Sequence, residues 1–314
     1  MWGEENMMYQ SEIFESDFLK YFNEEYLINE SDFQKAVLYL INKTFSTISV
    51  KKRKVIELKK LRSNLTQEEK EAINNIKKDI ENGNNLKKYM SKQKEKIDFL
   101  DKLKNLYKID HFHLGRDNGD EFVERSNKLL FLYFEPRNEV VYMICVLNHP
   151  KKEKWGSIYP VCFLYDEYPE LFEKQVLKEC KKMTPVISSD DEYQELYKLG
   201  INFPIEVKKG VYVFPFGMAV NSMDFKNGIS VGVGVYEINR WSKFYRKITL
   251  FFGKEKKEIY QRFKFSFNYL EGNLTIEAFY NYAYRKEKEI YFWNFKNNCL
   301  LNEKREIILI NNEI

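Results

Sequence analysis

The chain has 314 residues, of which 44% are hydrophobic, 16% aromatic and 31% charged, with a net charge of +4. That composition supports one large core or two domains and excludes a globally disordered chain. It also argues against several classes of function: no apolar run of about 18 residues is present to span a bilayer, the opening MWGEENMMYQSEIFE lacks the basic and apolar regions expected of a secretory signal, and four cysteines without a CxxC pair are not the pattern expected of a disulfide framework. The expectation is a reduced, cytoplasmic protein with no membrane partner.

Charge is unevenly spread. Residues 1–50 hold nine acids and three lysines, whereas residues 51–108 hold eighteen Lys/Arg and nine acids. An acidic leader thus precedes a basic segment suited to facing phosphates. Within the leader, Phe14, Phe18, Tyr21 and Phe22 recur at helical spacing. Phe33, Ala36, Val37, Leu40 and Ile41 repeat that spacing after Ser31, a favourable N-cap. Residues 51–62 (KKRKVIELKKLR) read as a basic helical patch. Thr66 and Glu69 form a capping box that opens a helix to about Ile80, and the run Glu81 to Asn85 with Gly83 ends it. Ile97, Leu100, Leu103 and Tyr107 mark a further helix, which makes residues 51–107 a helical hairpin.

The period then changes. In Ile109–Gly115 the residues Phe112 and Leu114 alternate with His111 and His113, so a strand would turn its phenylalanine and leucine to a core and both histidines to the opposite face. Residues 127–134 and 140–148 are apolar on both faces and read as central strands joined by the turn EPRNE, with His149 at the end of the second. Residues 157–165 suggest another strand, 168–182 a helix, 183–191 a polar linker and 191–199 a short helix. Residues 201–314 are runs of aromatic and β-branched residues between turns, with KKG at 208–210 and EGN at 271–273 as hairpin turns. They predict a β-sandwich or curled antiparallel sheet. Its tyrosines Tyr212, Tyr269, Tyr280, Tyr282 and Tyr284 are candidates for stacking on bases or lining an interface.

The fold class read from this pattern is α+β: N-terminal helices packed on a small antiparallel sheet, followed by a mostly β C-terminal domain. The divisions fall at 1–50, 51–183 and 201–314. The sequence lacks a Walker A motif, a GxGxxG after a strand and a GxSxG, which excludes the ATPase, dinucleotide-binding and α/β-hydrolase classes.

All three histidines of the chain lie in one stretch, His111, His113 and His149. Cleavage of RNA without a metal needs a base for the 2′-hydroxyl, an acid for the leaving oxygen and cations for the charged transition state. Histidine supplies the first two near neutral pH, and arginine and lysine supply the third. The candidate catalytic residues are therefore His111, His113, His149 and Arg125, with Arg116, Lys128, Lys104 and Lys108 as substrate-binding cations. Helices, then a strand and loop, a hairpin, and a strand ending in histidine resembles the RelE/barnase-type ribonuclease toxin core over residues 51–150. That resemblance implies helices on one face of the sheet and catalytic basic and histidine residues on the other. The chain departs from it by the HxH on its first meander strand and by the long β extension. The implied function is a toxin or host-defence endoribonuclease acting on RNA, without metal or cofactor, and an inhibitory or activating protein partner fits such a role. Two other readings use the same residues. HxH with a later histidine, completed by Glu121 or Asp117, is a donor set for a transition metal. The tyrosine-rich strands and charged helices also suit a non-enzymatic adaptor for nucleic acid or protein.

Overall fold

The structure is a computed structural model of the chain. It describes residues 2–96, 101–135, 139–149, 157–178, 180, 182–183, 187, 189–198, 203–214, 242–248, 250–252, 260–268, 273–282, 285–295, 297 and 299–308. The fold is α+β. In chain order its elements are α1 (Trp2–Tyr26), α2 (Phe33–Ser46), β1 (Lys54–Glu57), α3 (Gln67–Asn82), α4 (Lys102–Tyr107), β2 (Ile109–His113), β3 (Lys128–Phe134) and β4 (Val140–Asn148). They continue as α5 (Tyr159–Glu167), α6 (Asp190–Lys198), β5 (Ile205–Lys208), β6 (Val211–Val213), β7 (Tyr260–Asn268), β8 (Asn273–Tyr282), β9 (Arg285–Asn294) and β10 (Cys299–Leu301). Among the described residues no helix is long and apolar enough to cross a membrane.

The chain forms two compact units, Ile48–Gly234 and Met1–Thr47 with Val235–Ile314. This division differs from cuts at 1–50, 51–183 and 201–314, because the N-terminal helices belong with the last strands. The reason is aromatic packing. Phe14 and Phe18 of α1 meet Phe265 of β7 with ring centroids 5.1 and 5.3 Å apart, and the Asp17 carboxylate accepts the Phe263 backbone N–H at 2.7 Å. The N-cap of α2 is Asp32, whose side chain accepts from Lys35 N, rather than Ser31. Among the described residues the strands β7 to β10 make one antiparallel sheet in the order β10-β9-β8-β7 with α1 on it, rather than a sandwich. Residues 242–248 and 250–252 are helical, although KITLFF has strand composition. The run GISVGVGVYEI lies outside the described residues.

The unit Ile48–Gly234 is built on a sheet of order β1-β4-β3-β2. Strands β2, β3 and β4 form the expected antiparallel meander, and β1 joins parallel to β4. The basic patch 51–62 therefore holds a strand, not a helix. Val55 and Ile56 are β-branched residues that pair with Val141 and Tyr142, and Leu58 and Leu61 then turn into the core. The described residues of 51–107 likewise do not form a hairpin of helices, and Ile97 and Leu100 lie outside them. The helix α3 keeps its capping box at Thr66 and Glu69 and ends at Gly83, whose φ is 75°. A side chain there would meet Lys52 N at 2.7 Å as well as strained backbone. Two 3-10 turns, Lys87–Tyr89 and Lys92–Glu95, and the six-residue α4 follow. Residues 157–165 are mainly helix α5, because Pro160 suits a first turn and Val161 and Leu164 bury one side. Among the described residues of 168–182 there is no α-helix beyond the end of α5 but a 3-10 turn, Pro169–Phe172, and a bridge between Val176 and Val213. The hairpin at Lys208–Gly210 forms as expected, with Gly210 at φ 74°.

The sheet has two cores. On one face Ile73, Ile76 and Ile80 of α3 pack against Phe112, Leu130, Leu132, Val141 and Met143. Burying each isoleucine stabilises by about 1.5–3 kcal/mol. On the other face Leu103 and Tyr107 of α4, Val161 and Leu164 of α5, and Ile205 and Val213 of the β5–β6 hairpin cover Ile109, Leu129, Phe131, Tyr133 and Cys145.

Candidate active site

Strand β2 places Phe112 toward α3 and His111 and His113 toward the other face, as alternation demands. That other face is not open, however. Every residue of β2 is buried, His111 to 2% and His113 to 4% exposure. Alternation tells which side chains share a face, but not what covers it, and here α4 lies against β2.

The third histidine joins the pair through a bulge. Phe131 pairs with Cys145, whereas Leu132 pairs with Met143, so Ile144 is an extra residue in β4. One inserted residue reverses the parity of everything after it. Without it His149 would fall on the α3 face. With it Cys145, Leu147 and His149 share the face of His111 and His113. The His149 N–H donates to Asn127 O at 2.6 Å, and the His149 ring stacks on His113 with centroids 5.9 Å apart and planes inclined by 24°. His149 is partly buried at the strand end.

Burial and charge separate the three imidazoles. Burial pushes His111 and His113 down to about 4, against an ordinary 6.5. For His113 the neighbouring imidazoles and the Arg125 guanidinium add to the depression. Both rings are thus neutral at physiological pH. His113 Nδ1 is buried and has no hydrogen-bond partner among the described residues. His111 Nδ1 lies 3.4 Å from Asp101 Oδ2.

Asp101 belongs to a buried ionic cluster that closes the edge of β2. Its Oδ1 accepts the Lys104 N–H at 3.2 Å as the N-cap of α4. Lys94 Nζ lies 3.0 Å from both Asp101 Oδ2 and Asp110 Oδ1, and Lys104 Nζ binds Asp110 Oδ2. Burial alone would raise Asp101, but the Lys94 ammonium beside it overrides that and holds it at about 2. The same carboxylates hold Lys94 well above its usual range despite its burial.

The eight residues expected to form the site are therefore sorted by the structure. His111, His113 and His149 share one face, whereas Arg125 is exposed in the loop before β3 and acts on His113 through its charge alone. Lys104 does not join them as a substrate-binding cation, because it is buried on Asp110. Lys128 alternates onto the α3 face with Leu130 and pairs with Glu69 at 3.0 Å, and Arg116 pairs with Glu68 at 2.7 Å. Lys108 is the left-handed C-cap of α4, with its N–H on Lys104 O. Sequence reasoning missed Lys94, Asp101 and Asp110. The available signals were the charge of Asp110 inside an apolar strand and the position of Asp101 just ahead of a helix. Glu121 and Asp117 are held by Lys87 and Lys88 at 2.7 and 2.9 Å. Among the described residues no group of three or more His, Cys, Asp or Glu is placed to hold a metal ion.

The loop after β2, which carries Arg125, folds back tightly. Leu114 N–H donates to Ser126 Oγ at 2.9 Å, Glu124 N–H donates to Arg116 O at 3.0 Å, and a Cβ on Gly115 would stand 2.0 Å from Glu124 O. Backbone, not a movable side chain, would have to yield. Gly115→Ala is expected to lower stability by about 1–3 kcal/mol and to move Arg125 away from His113. Urea unfolding and the His113 proton titration followed by NMR check the two effects separately.

The depressed histidines also set a pH dependence. A histidine that is harder to protonate folded than unfolded gives stability that is complete above about pH 6.5 and is lost as pH falls toward 4. For His111, depressed from 6.5 to about 4, the loss approaches about 3 kcal/mol. Asp101 works in a lower window: its stabilisation holds above about 3.8 and goes as pH falls toward 2. His111→Phe should therefore flatten the decline in unfolding free energy between pH 6.5 and 4.5. An unchanged decline in that variant would contradict the assignment.

No protein-family model matches the chain, and no curated protein or solved structure is significantly similar to it.

Proposed function

We propose that the unit Ile48–Gly234 carries a metal-independent endoribonuclease site, and that the protein is a cytoplasmic toxin or host-defence effector of the RelE/barnase kind acting on RNA. The observation that carries the reading is the His113–His149 stack, with ring centroids 5.9 Å apart. His113, neutral and stacked on the partly exposed His149, is the proton acceptor for the 2′-hydroxyl. His149, partly exposed, delivers the proton to the leaving 5′-oxygen. Arg125 neutralises the phosphate as negative charge develops. His111 takes a different part from the one its sequence suggests. Its Nδ1 is turned to Asp101, so it positions β2 rather than touching RNA. An inhibitory or activating protein partner belongs to the same proposal.

The test is cleavage of a single-stranded RNA by the full chain in excess chelator. The reading expects 2′,3′-cyclic phosphate ends, and loss of cleavage in His113→Ala and in His149→Ala. Cleavage untouched by both substitutions, or a stable protein complex as the sole activity, would favour the adaptor reading instead.

A further inference from the structure

The C-terminal sheet carries a second feature, independent of the histidines. Strand register sorts its side chains into two faces. Phe263, Ile276 and Trp293 lie on the face that receives α1 and are buried. The other face carries Arg262 and Lys264 of β7, Phe279 of β8, and Lys288 and Phe292 of β9. Arg262 stands opposite Phe279, which stands opposite Lys288. The three cations are exposed and the two phenyl rings half-exposed.

The cations rest on the rings. The Arg262 guanidinium lies 4.8 Å and the Lys264 ammonium 5.7 Å from the Phe279 centroid. Arg305, in the turn after β10, lies 3.5 Å from the Phe292 centroid. Glu277 on the same face is occupied by Lys288 at 3.2 Å. Thr275 is the residue opposite Phe292, four positions along β8 from Phe279, so the two rings stand about 13 Å apart along the strands.

We propose that this face binds single-stranded nucleic acid. Phe279 and Phe292 are the platforms on which bases stack, and Arg262, Lys264 and Arg305 are the cations that take the phosphates. In the free protein each cation covers a ring. On binding it moves to a phosphate as a base takes its place, so neither the ring nor the charge is left unpaired. The combination decides between occupants. A duplex keeps its base faces hidden, and an acidic protein segment needs the cations but not the rings. Aromatic rings interleaved with cations on an open sheet suit unpaired bases on a phosphate chain.

Fluorescence anisotropy of a labelled oligodeoxythymidylate of about twelve nucleotides tests this, a length within the usual range of single-strand sites. The probe has no 2′-hydroxyl, so the result does not depend on the ribonuclease reading. Phe279→Ala and Phe292→Ala should each weaken binding roughly five- to a hundred-fold, and Phe279→Tyr should retain it. Arg262→Gln with Lys264→Gln should reduce the slope of log affinity against log salt by about 0.7 for each phosphate no longer neutralised. All of these positions are exposed or half-exposed, and unchanged thermal unfolding confirms that each variant is folded. The proposal is overturned if the wild-type chain does not bind the probe at high micromolar concentration. It is equally overturned if the alanine variants bind as the wild type does, or if polyglutamate competes as well as the oligonucleotide.

Discussion

Asp110→Ala should lower the stability of the unit Ile48–Gly234 by about 3–5 kcal/mol, the loss typical when one member of a buried ion pair is removed. Asp110 has no exposed surface, and it binds both Lys94 and Lys104, whose side chains are 11% and 10% exposed. Without it Lys104 keeps its position over the Phe134 ring, at 5.6 Å, but no carboxylate. Lys94 retains Asp101 at 3.0 Å, so the greater part of the loss falls on Lys104. For a unit of this size each kcal/mol moves the melting temperature by about 2–4 °C, and a fall of roughly 6–20 °C follows. A second variant separates the network's specificity from its energy. Replacing Asp110 by leucine and Lys104 by methionine together removes one charge of each sign, leaves Lys94 on Asp101, and should restore most of the stability. If Asp110→Ala unfolds within about 1 kcal/mol of the wild type, the cluster is not buried as described.

The cluster matters because β2 is an edge strand that carries two of the three histidines. An edge needs covering, and here Lys94, Asp101 and Lys104 wrap around it. This is the part of the fold least legible in the sequence. Lys94 and Lys104 sit in a lysine-rich run in which lysines ordinarily face water, and nothing local distinguishes these two from Lys92, which is exposed. The strand itself is legible, because Asp110, Phe112 and Leu114 alternate with the histidines over a short apolar run. So are the capping box at Thr66 and Glu69 and the KKG turn, which depend on residues within four positions of one another.

Features set by distant partners are not legible. The strand Lys54–Glu57 exists because β4 lies beside it, and its charged neighbours give it the composition of a surface helix. The helix α1 reads as a separate acidic leader, yet its phenylalanine stripe is completed by Phe263 and Phe265. The position of His149 depends on a single inserted residue, Ile144. Strand period gives the parity of a run only until a bulge intervenes, and nothing in VVYMICVLN marks one. Tyr280 reads as available for stacking, but parity turns it toward Tyr260, 5.5 Å away, and leaves Phe279 on the open face. Tyr212 is buried. Tyr269 and Tyr284 lie outside the described residues, as does the Tyr282 side chain.

His113→Ala and His149→Ala should each reduce RNA cleavage by about 10²–10⁴-fold, the usual contribution of a positioned acid or base. That corresponds to about 3–5 kcal/mol of transition-state stabilisation. On the proposed mechanism the two rings serve one phosphate, and the double variant should then be little worse than the poorer single one. His111→Ala belongs to another class. It should lower stability through the loss of a buried side chain, while kcat at a temperature where the variant is folded falls much less. The pH profile distinguishes a working base from a structural one. A base must be unprotonated, and His113 is held near 4 by its burial and its positive neighbours. The acid limb of kcat/KM should therefore lie near pH 4, rather than near the 6.5 of an ordinary histidine. Folding is weakened in the same window by the protonation of His111, so tryptophan fluorescence recorded alongside the rates is needed to separate the two. Arg125→Ala supplies the internal check. Removing its positive charge relieves part of the depression of His113, so the acid limb should shift upward even as the rate falls. A limb that stays in place in Arg125→Ala, or one that lies near 6.5 in the wild type, would remove His113 from the role of base.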